Sequence, residues 1–138
     1  MLRRGISETT TGLAAEYIAA AAIIEAGWKV GLAQQDRVDL VAWRDDNFLR
    51  VQVKSSNLNA RMNYQFQLGS GSKKKKIPTV DDYDVLALVA LAERRVLFLP
   101  IEKVKQLTKR VSRKRFENPL SEMASWDETI EVINGRLG

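Results

Sequence analysis

Asp39, Gln52 and Lys54 are the residues of this chain whose types and spacing could do chemistry. A carboxylate, an amide and an ammonium group gathered at one point can hold a hard divalent cation through oxygen and set a positive charge beside it. Such a set suits phosphodiester hydrolysis, which needs an activated water and neutralised charge on the phosphate. Few other catalytic chemistries are open, because the 138 residues include no cysteine and no histidine. Thiolate nucleophiles, Ser-His triads, histidine bases and zinc sites built on Cys and His are all excluded.

These three residues need a scaffold that brings them together. The stretch from Asp39 to Lys54 reads as a β-hairpin. With a turn at Asp45-Asp46, Arg44 faces Asn47, and Val38/Val53, Leu40/Val51 and Ala42/Leu49 pair into one apolar face. The opposite face then carries Asp39 across from Gln52, with Lys54 one step along. A slip of one residue would set Asp39 against a valine and mix the two faces. Asp45-Asp46-Asn47 could also form a longer, bulged loop.

Around the hairpin the sequence supplies further elements. Thr9-Thr10-Thr11-Gly12 offers N-cap candidates for a helix to about Ala26, with Leu13, Tyr17, Ala20 and Ile24 as its core stripe and Gly27 as its stop. Glu16 lies on that stripe, three residues after Leu13 and four before Ala20. A carboxylate directed at the core needs a partner, either a metal or Lys54; the alternative is a helix-edge Glu reaching solvent. Trp28-Lys29-Val30 leads into a short strand or loop. Asn63 to Leu68 alternates apolar and polar residues, as a strand with one wet face does. Gly69 to Lys76 is a flexible basic loop. Tyr83 to Leu91 is a near-continuous apolar run that fits a strand buried on both faces. Arg95 to Leu99 is another strand, ended by Pro100. Ile101 to about Arg113 is predicted helical, with Asn118-Pro119 as a break, and residues 120–138 receive no assignment. The expected fold is one α/β domain over residues 1–138, with a core at about 7–104 and a C-terminal extension over 105–138. Its mixed central sheet of about five strands is flanked by helices.

The 22 Lys and Arg against 17 Asp and Glu leave a net charge of +5, which favours a polyanionic partner. Lys73, Lys74, Lys75 and Lys76 form the densest basic run, and Arg110 and Arg113 belong to a second. Such runs contact phosphates or are simply solvated. No apolar segment directly follows Met1-Leu2-Arg3-Arg4-Gly5, and the run from Ala14 to Ala26 contains Glu16 and Glu25 and is too short to span a bilayer. A soluble, cytoplasmic protein with no membrane partner is expected.

Gly12-x-x-Ala15-Glu16, Asp39, Gln52-Val53-Lys54-Ser55, Asp82-Tyr83-Asp84 and Leu97-Phe98-Leu99-Pro100-Ile101 together resemble the PD-(D/E)xK nuclease superfamily over roughly residues 7–104. The likeness is to small single-domain members: Holliday-junction resolvases of archaeal and phage type, and a Gln-x-Lys group that includes an intron-encoded homing endonuclease. Val38-Asp39 stands where most members have Pro-Asp, and Gln52 stands where most have Glu.

The resemblance implies a restriction-endonuclease-like fold and a DNA endonuclease dependent on Mg2+, with Mn2+ as a substitute. Asp39 would be the central ligand, joined by Glu16, the backbone carbonyl of Val53 and the amide oxygen of Gln52. Lys54 would orient the attacking water or stabilise developing charge. Ser55, Ser56, Lys73, Lys74, Lys75, Lys76, Arg110 and Arg113 would meet DNA. The plainer alternatives are a salt bridge from Asp39 to Arg37, an exposed strand lysine at Lys54, a polar strand residue at Gln52 and a strand end at Ser55-Ser56. Junction resolution by a symmetric dimer is the first expectation for function. A homing or restriction-type enzyme, reading bases with the segment from Leu58 to Gln67, is the alternative. A non-catalytic nucleic-acid binder on a degenerate nuclease fold is a third. No nucleotide cofactor is expected, and the context is bacterial or phage-like.

Overall fold

Helix α1 (Glu8–Glu25) starts at Ser7, whose side chain accepts a hydrogen bond from the Thr10 N–H, slightly ahead of the expected threonine caps. These assignments come from a computed structural model that describes residues 7–71 and 74–137. The helix buries Ala15, Ala19, Ala22 and Ile23 against the sheet. Of the expected stripe only Ala20 is buried; Leu13, Tyr17 and Ile24 are 39%, 56% and 56% exposed. The reason is steric: alanine side chains let the helix axis approach the sheet closely, and the bulkier residues would hold it away.

The five-stranded sheet has the order β1-β2-β3-β5-β6, formed by β1 (Lys29–Gln35), β2 (Val38–Arg44), β3 (Asn47–Ser56), β5 (Val85–Ala90) and β6 (Arg95–Pro100). All neighbours run antiparallel except β3 and β5, which are parallel. Every residue of β5 is buried. Val85, Ala87 and Val89 join the cluster beneath α1, and Leu86, Leu88 and Ala90 join a second cluster on the other face. This double burial is why the strand reads as an unbroken apolar run.

Strand β4 (Asn63–Gln67) is not a member of that sheet. It pairs antiparallel with β7 (Thr108–Ser112) as a separate two-stranded ribbon. Five strands were expected, and five occur, but Lys29–Gln35 takes the place assigned to 63–68. The ribbon is drawn off because Tyr64 and Phe66 cover the second face of the sheet, where both pack around Phe116. The predicted helix over 101–113 is absent. A single 3-10 turn (Ile101–Lys103) is followed by β7, whose Val111 stands opposite Tyr64. Pairing with β4 and the β-branched Thr108 and Val111 favour the strand.

A short helix α2 (Lys114–Glu117) precedes α3 (Pro119–Asn134). Asn118 caps α3 by accepting from the Leu120 N–H at 3.0 Å, and Pro119 occupies its first turn. The Asn-Pro pair therefore starts a helix. From α3, Trp126 meets Trp28 and Phe98 edge-on, with ring centroids 5.5 and 5.0 Å apart. Among the described residues no helix is long and apolar enough to cross a membrane. Truncating Trp126 to Ala should destabilise the fold by about 3–5 kcal/mol, read as a lowered urea midpoint. A loss below about 1 kcal/mol would show that α3 is not part of the cooperative core.

Candidate active site

The hairpin forms in the expected register. Arg44 pairs with Asn47, Ala42 with Leu49 and Leu40 with Val51, and Leu40, Ala42, Leu49 and Val51 are all buried. Asp45 takes a left-handed φ of 54°, a conformation Asp tolerates better than most residues. The expected Val38/Val53 pair does not extend this ladder. Val38 pairs instead with Gln35 of β1, while β3 continues along β5 to Ser56. The two strands therefore part just beyond Leu40 and Val51. At that fork Asp39 Oδ2 accepts from the Val53 N–H at 2.8 Å and from Gln52 Nε2 at 2.9 Å. The carboxylate replaces a carbonyl that the ladder no longer supplies.

Three charged groups act on one another here. Burial pushes the Asp39 carboxyl above the usual carboxylate range, and the Val53 N–H and Lys54 pull it only partly back. Burial also raises Glu16, with the charge of Asp39 adding to the rise. Lys54 is held below the usual lysine range by burial, against the pull of Asp39 and with a further push from Lys75. Helix α1 thus delivers Glu16 into the field of the hairpin residues, although its face differs from the one expected. Arg37 is not a partner of Asp39; it donates to Asp82 at 2.7 Å.

Gln52 and Lys54 open onto a cleft bounded by the 68–71 turn, Lys75 and Tyr83. Ser70 and Lys76 exchange backbone hydrogen bonds of 2.9 Å in both directions. The base of the loop expected to be flexible is therefore pinned. Gly69 allows this closeness: a Cβ there would come within 3.0 Å of Lys75 Cβ and Leu107 Cδ2. Lys74 and Lys76 are exposed, and Lys73 lies outside the described residues. Ser55 and Ser56 are half-buried at the end of β3, where Ser56 Oγ accepts from the Gln65 N–H. Arg110 is exposed, whereas Arg113 donates to Glu93 at 2.8 Å and faces Glu117 at 3.6 Å.

Sequence reasoning assigns no role to two further residues of this region. Tyr83 is almost fully buried beside the cleft, and among the described residues its hydroxyl has no hydrogen-bond partner. Burial drives its pKa upward, so it stays protonated and can act as a donor. The signal lay in an aromatic residue set between two acids just before a buried strand. Arg50 is the other. Its N–H and Nε donate to Asp84 Oδ2 at 2.8 and 3.1 Å, and Arg136 holds Oδ1 of the same carboxylate at 2.9 Å. Asp84 therefore locks β3 to the start of β5 and stays ionised, its burial outweighed by these donors.

Among the described residues no three acidic side chains converge on a metal-sized site. A hard cation here would take carboxylate oxygens from Asp39 and Glu16 and complete its shell with neutral oxygens. The backbone carbonyl of Val53 and the amide of Gln52 stand within reach of one another, with Nε2 at 3.4 Å from Val53 O. Two carboxylates raised by burial, Glu16 further by the charge of Asp39, fit a group that carries positive charge. The same shifts fix a pH dependence. In the fold Asp39 holds its proton to higher pH than in the unfolded chain, so ionisation costs stability as pH rises from about 4 toward neutral. Asp39→Asn keeps an acceptor oxygen without the charge. In chelator it should melt at or above wild type at neutral pH, with the difference vanishing in acid. A variant that melts well below wild type at neutral pH would show that ionised Asp39 stabilises the fold.

The sequence of residues 6–127 matches the family model of the PD-(D/E)XK endonucleases. Among solved structures, that of a bacterial homing endonuclease, I-Ssp6803I, superposes with a TM-score of 0.74 at 19% identity, covering 96% of this chain and 99% of that one. That likeness establishes a shared fold. No curated protein matches the sequence. On the strength of the family model, which spans most of the molecule including the fork, the cleft and the ribbon, this chain belongs to the PD-(D/E)XK endonuclease family.

Proposed function

We propose that the chain is a divalent-metal-dependent endonuclease that hydrolyses phosphodiester bonds in DNA. The observation that carries this reading is the Asp39 carboxylate, half-buried at the fork between β2 and β3, with Glu16 and Lys54 in its field. Asp39 and Glu16 would hold Mg2+, or Mn2+ in its place, with Val53 O and Gln52 Oε1 as neutral ligands once the Gln52 amide turns. The bound ion would neutralise phosphate charge and favour ionisation of a water. Lys54, its pKa lowered by burial and by Lys75, can orient that water or meet the charge on the phosphate.

Two substrates divide the reading. Junction resolution rests on the short chain and its general positive charge, which suit recognition of shape. Site-specific cleavage of duplex DNA is favoured by a particular feature: the outward face of the β4–β7 ribbon carries amide, hydroxyl and guanidinium groups, which read base edges. It is also in keeping with the full-length fold likeness to a homing endonuclease. Cutting both strands needs two sites, so the reading includes a symmetric homodimer. The exposed Leu13, Tyr17 and Ile24 on α1 supply an apolar surface that a second copy could cover.

Labelled four-way junctions and a linear genomic duplex, incubated with Mg2+ or chelator, test this directly. Wild type should cut the linear DNA at discrete positions only with metal, and Asp39→Ala should lose about a hundredfold or more in rate. Paired nicks confined to the junction would transfer the assignment to a resolvase. Failure to cut either substrate, in Mg2+ or Mn2+, would remove the endonuclease reading for DNA.

A further inference from the structure

The β4–β7 ribbon has two chemically distinct faces. Tyr64, Phe66 and Val111 point into the core. The alternate residues form three cross-strand rows on the other face: Asn63 with Ser112, Gln65 with Arg110, and Gln67 with Thr108. Every member of that face is a hydrogen-bonding side chain, and Gln65, Gln67, Arg110 and Ser112 are exposed. Thr108 Oγ1 donates to Gln67 Oε1 at 3.1 Å. Among the described residues the side chains of Asn63, Gln65 and Arg110 form no hydrogen bond or ion pair. Arg110 differs in this from Arg113, three residues on, which Glu93 and Glu117 hold. A face built only for solubility would carry Lys and Glu; amides and one unpaired guanidinium are poor at that and good at bidentate hydrogen bonding.

The ribbon is also fixed relative to the cleft. The Gln65 N–H donates to Ser56 Oγ, two residues beyond Lys54 on β3. Leu68, which follows Gln67 directly, donates its N–H to Leu107 O at 2.7 Å and lines the cleft together with Gln52 and Lys54. A backbone lying in the cleft therefore has the ribbon beside it. A two-stranded antiparallel ribbon is narrow enough to enter the major groove of B-DNA.

We propose that the outward face of the β4–β7 ribbon is the base-reading element of this protein, with Asn63, Gln65, Gln67 and Arg110 contacting base edges in the major groove of duplex DNA. The chemistry sets the preference: Gln and Asn pair bidentately with adenine, and Arg with guanine. The three rows span about 13 Å along the strands, the length of about four base-pair steps. The proposal rests on the DNA endonuclease reading above and adds how that site chooses its substrate.

The test is selection of bound duplexes from a randomised library, with Ca2+ replacing Mg2+, for wild type, Gln65→Ala/Gln67→Ala, Arg110→Ala and Arg110→Lys. Wild type should enrich a defined motif. The double glutamine variant should lose preference at adjacent positions within a block of about four base pairs. Each truncated glutamine should weaken binding to the selected site about five- to a hundredfold. Affinity for unselected duplex should hold, because neither side chain meets a phosphate. Arg110→Lys should recover non-specific affinity relative to Arg110→Ala while the guanine preference stays lost. An unchanged motif in these variants, or no motif for wild type, overturns the proposal. Motif enrichment without cleavage would remove the endonuclease reading and keep the ribbon's role; cleavage without a motif would do the reverse.

Discussion

The site depends on one hydrogen bond, from the Val53 N–H to Asp39 Oδ2. Strand β3 is pulled two ways: it must pair with β2 to close the hairpin and with β5 to join the sheet. Past Val51 it follows β5, which leaves a backbone donor without its ladder partner. A side-chain carboxylate fills that place, and in doing so it is drawn half out of water next to Gln52 and Lys54. The fork thus sets the acid against Gln52, with Lys54 two residues further along the same strand and lining the same cleft as Gln52. It also explains why the acid cannot drift, since two donors hold the same oxygen.

Holding those charges out of water costs stability, and the surrounding structure supplies the compensation. The α1 alanines, the all-buried β5 and the Trp28–Trp126–Phe98 cluster make an apolar base on one face. The Tyr64–Phe66–Phe116 group does so on the other. Charge is satisfied where it is structural: Arg50, Asp84, Arg136 and Glu102 form a chain of ion pairs at the start of β5. Among the described residues no ion pair joins Glu16, Asp39 and Lys54, although the charge of Asp39 acts on both of the others. That contrast within one small sheet separates the groups that build the fold from the groups available for chemistry.

Legibility in the sequence follows the range of each interaction. The hairpin and its register can be read because period-two alternation and a two-residue turn are local, and a slip would expose Leu40, Ala42, Leu49 and Val51. β5 is equally plain because both its faces are buried. The buried face of α1 departs from the expected one because the sequence pattern favours bulk, while the sheet accepts only alanines at close approach. β7 reads locally as helix because its partner, β4, lies more than 40 residues away, and nothing nearby announces a strand at Thr108–Ser112. For the same reason the ribbon's outward face cannot be assembled from the sequence. Tyr83 escapes because an unpartnered hydroxyl is a property of the packed structure.

Calorimetric titration of Mg2+ into the chain, with Ca2+ as a non-cleaving substitute, tests the central claim that Asp39 at the fork is the anchor of a cation site. One ion per chain should bind wild type, more tightly as pH rises and the raised carboxyls of Asp39 and Glu16 ionise. Binding should be abolished in Asp39→Asn and weakened in Glu16→Gln. Equal binding by Asp39→Asn and wild type would contradict the account and reduce Asp39 to a structural plug for the Val53 N–H.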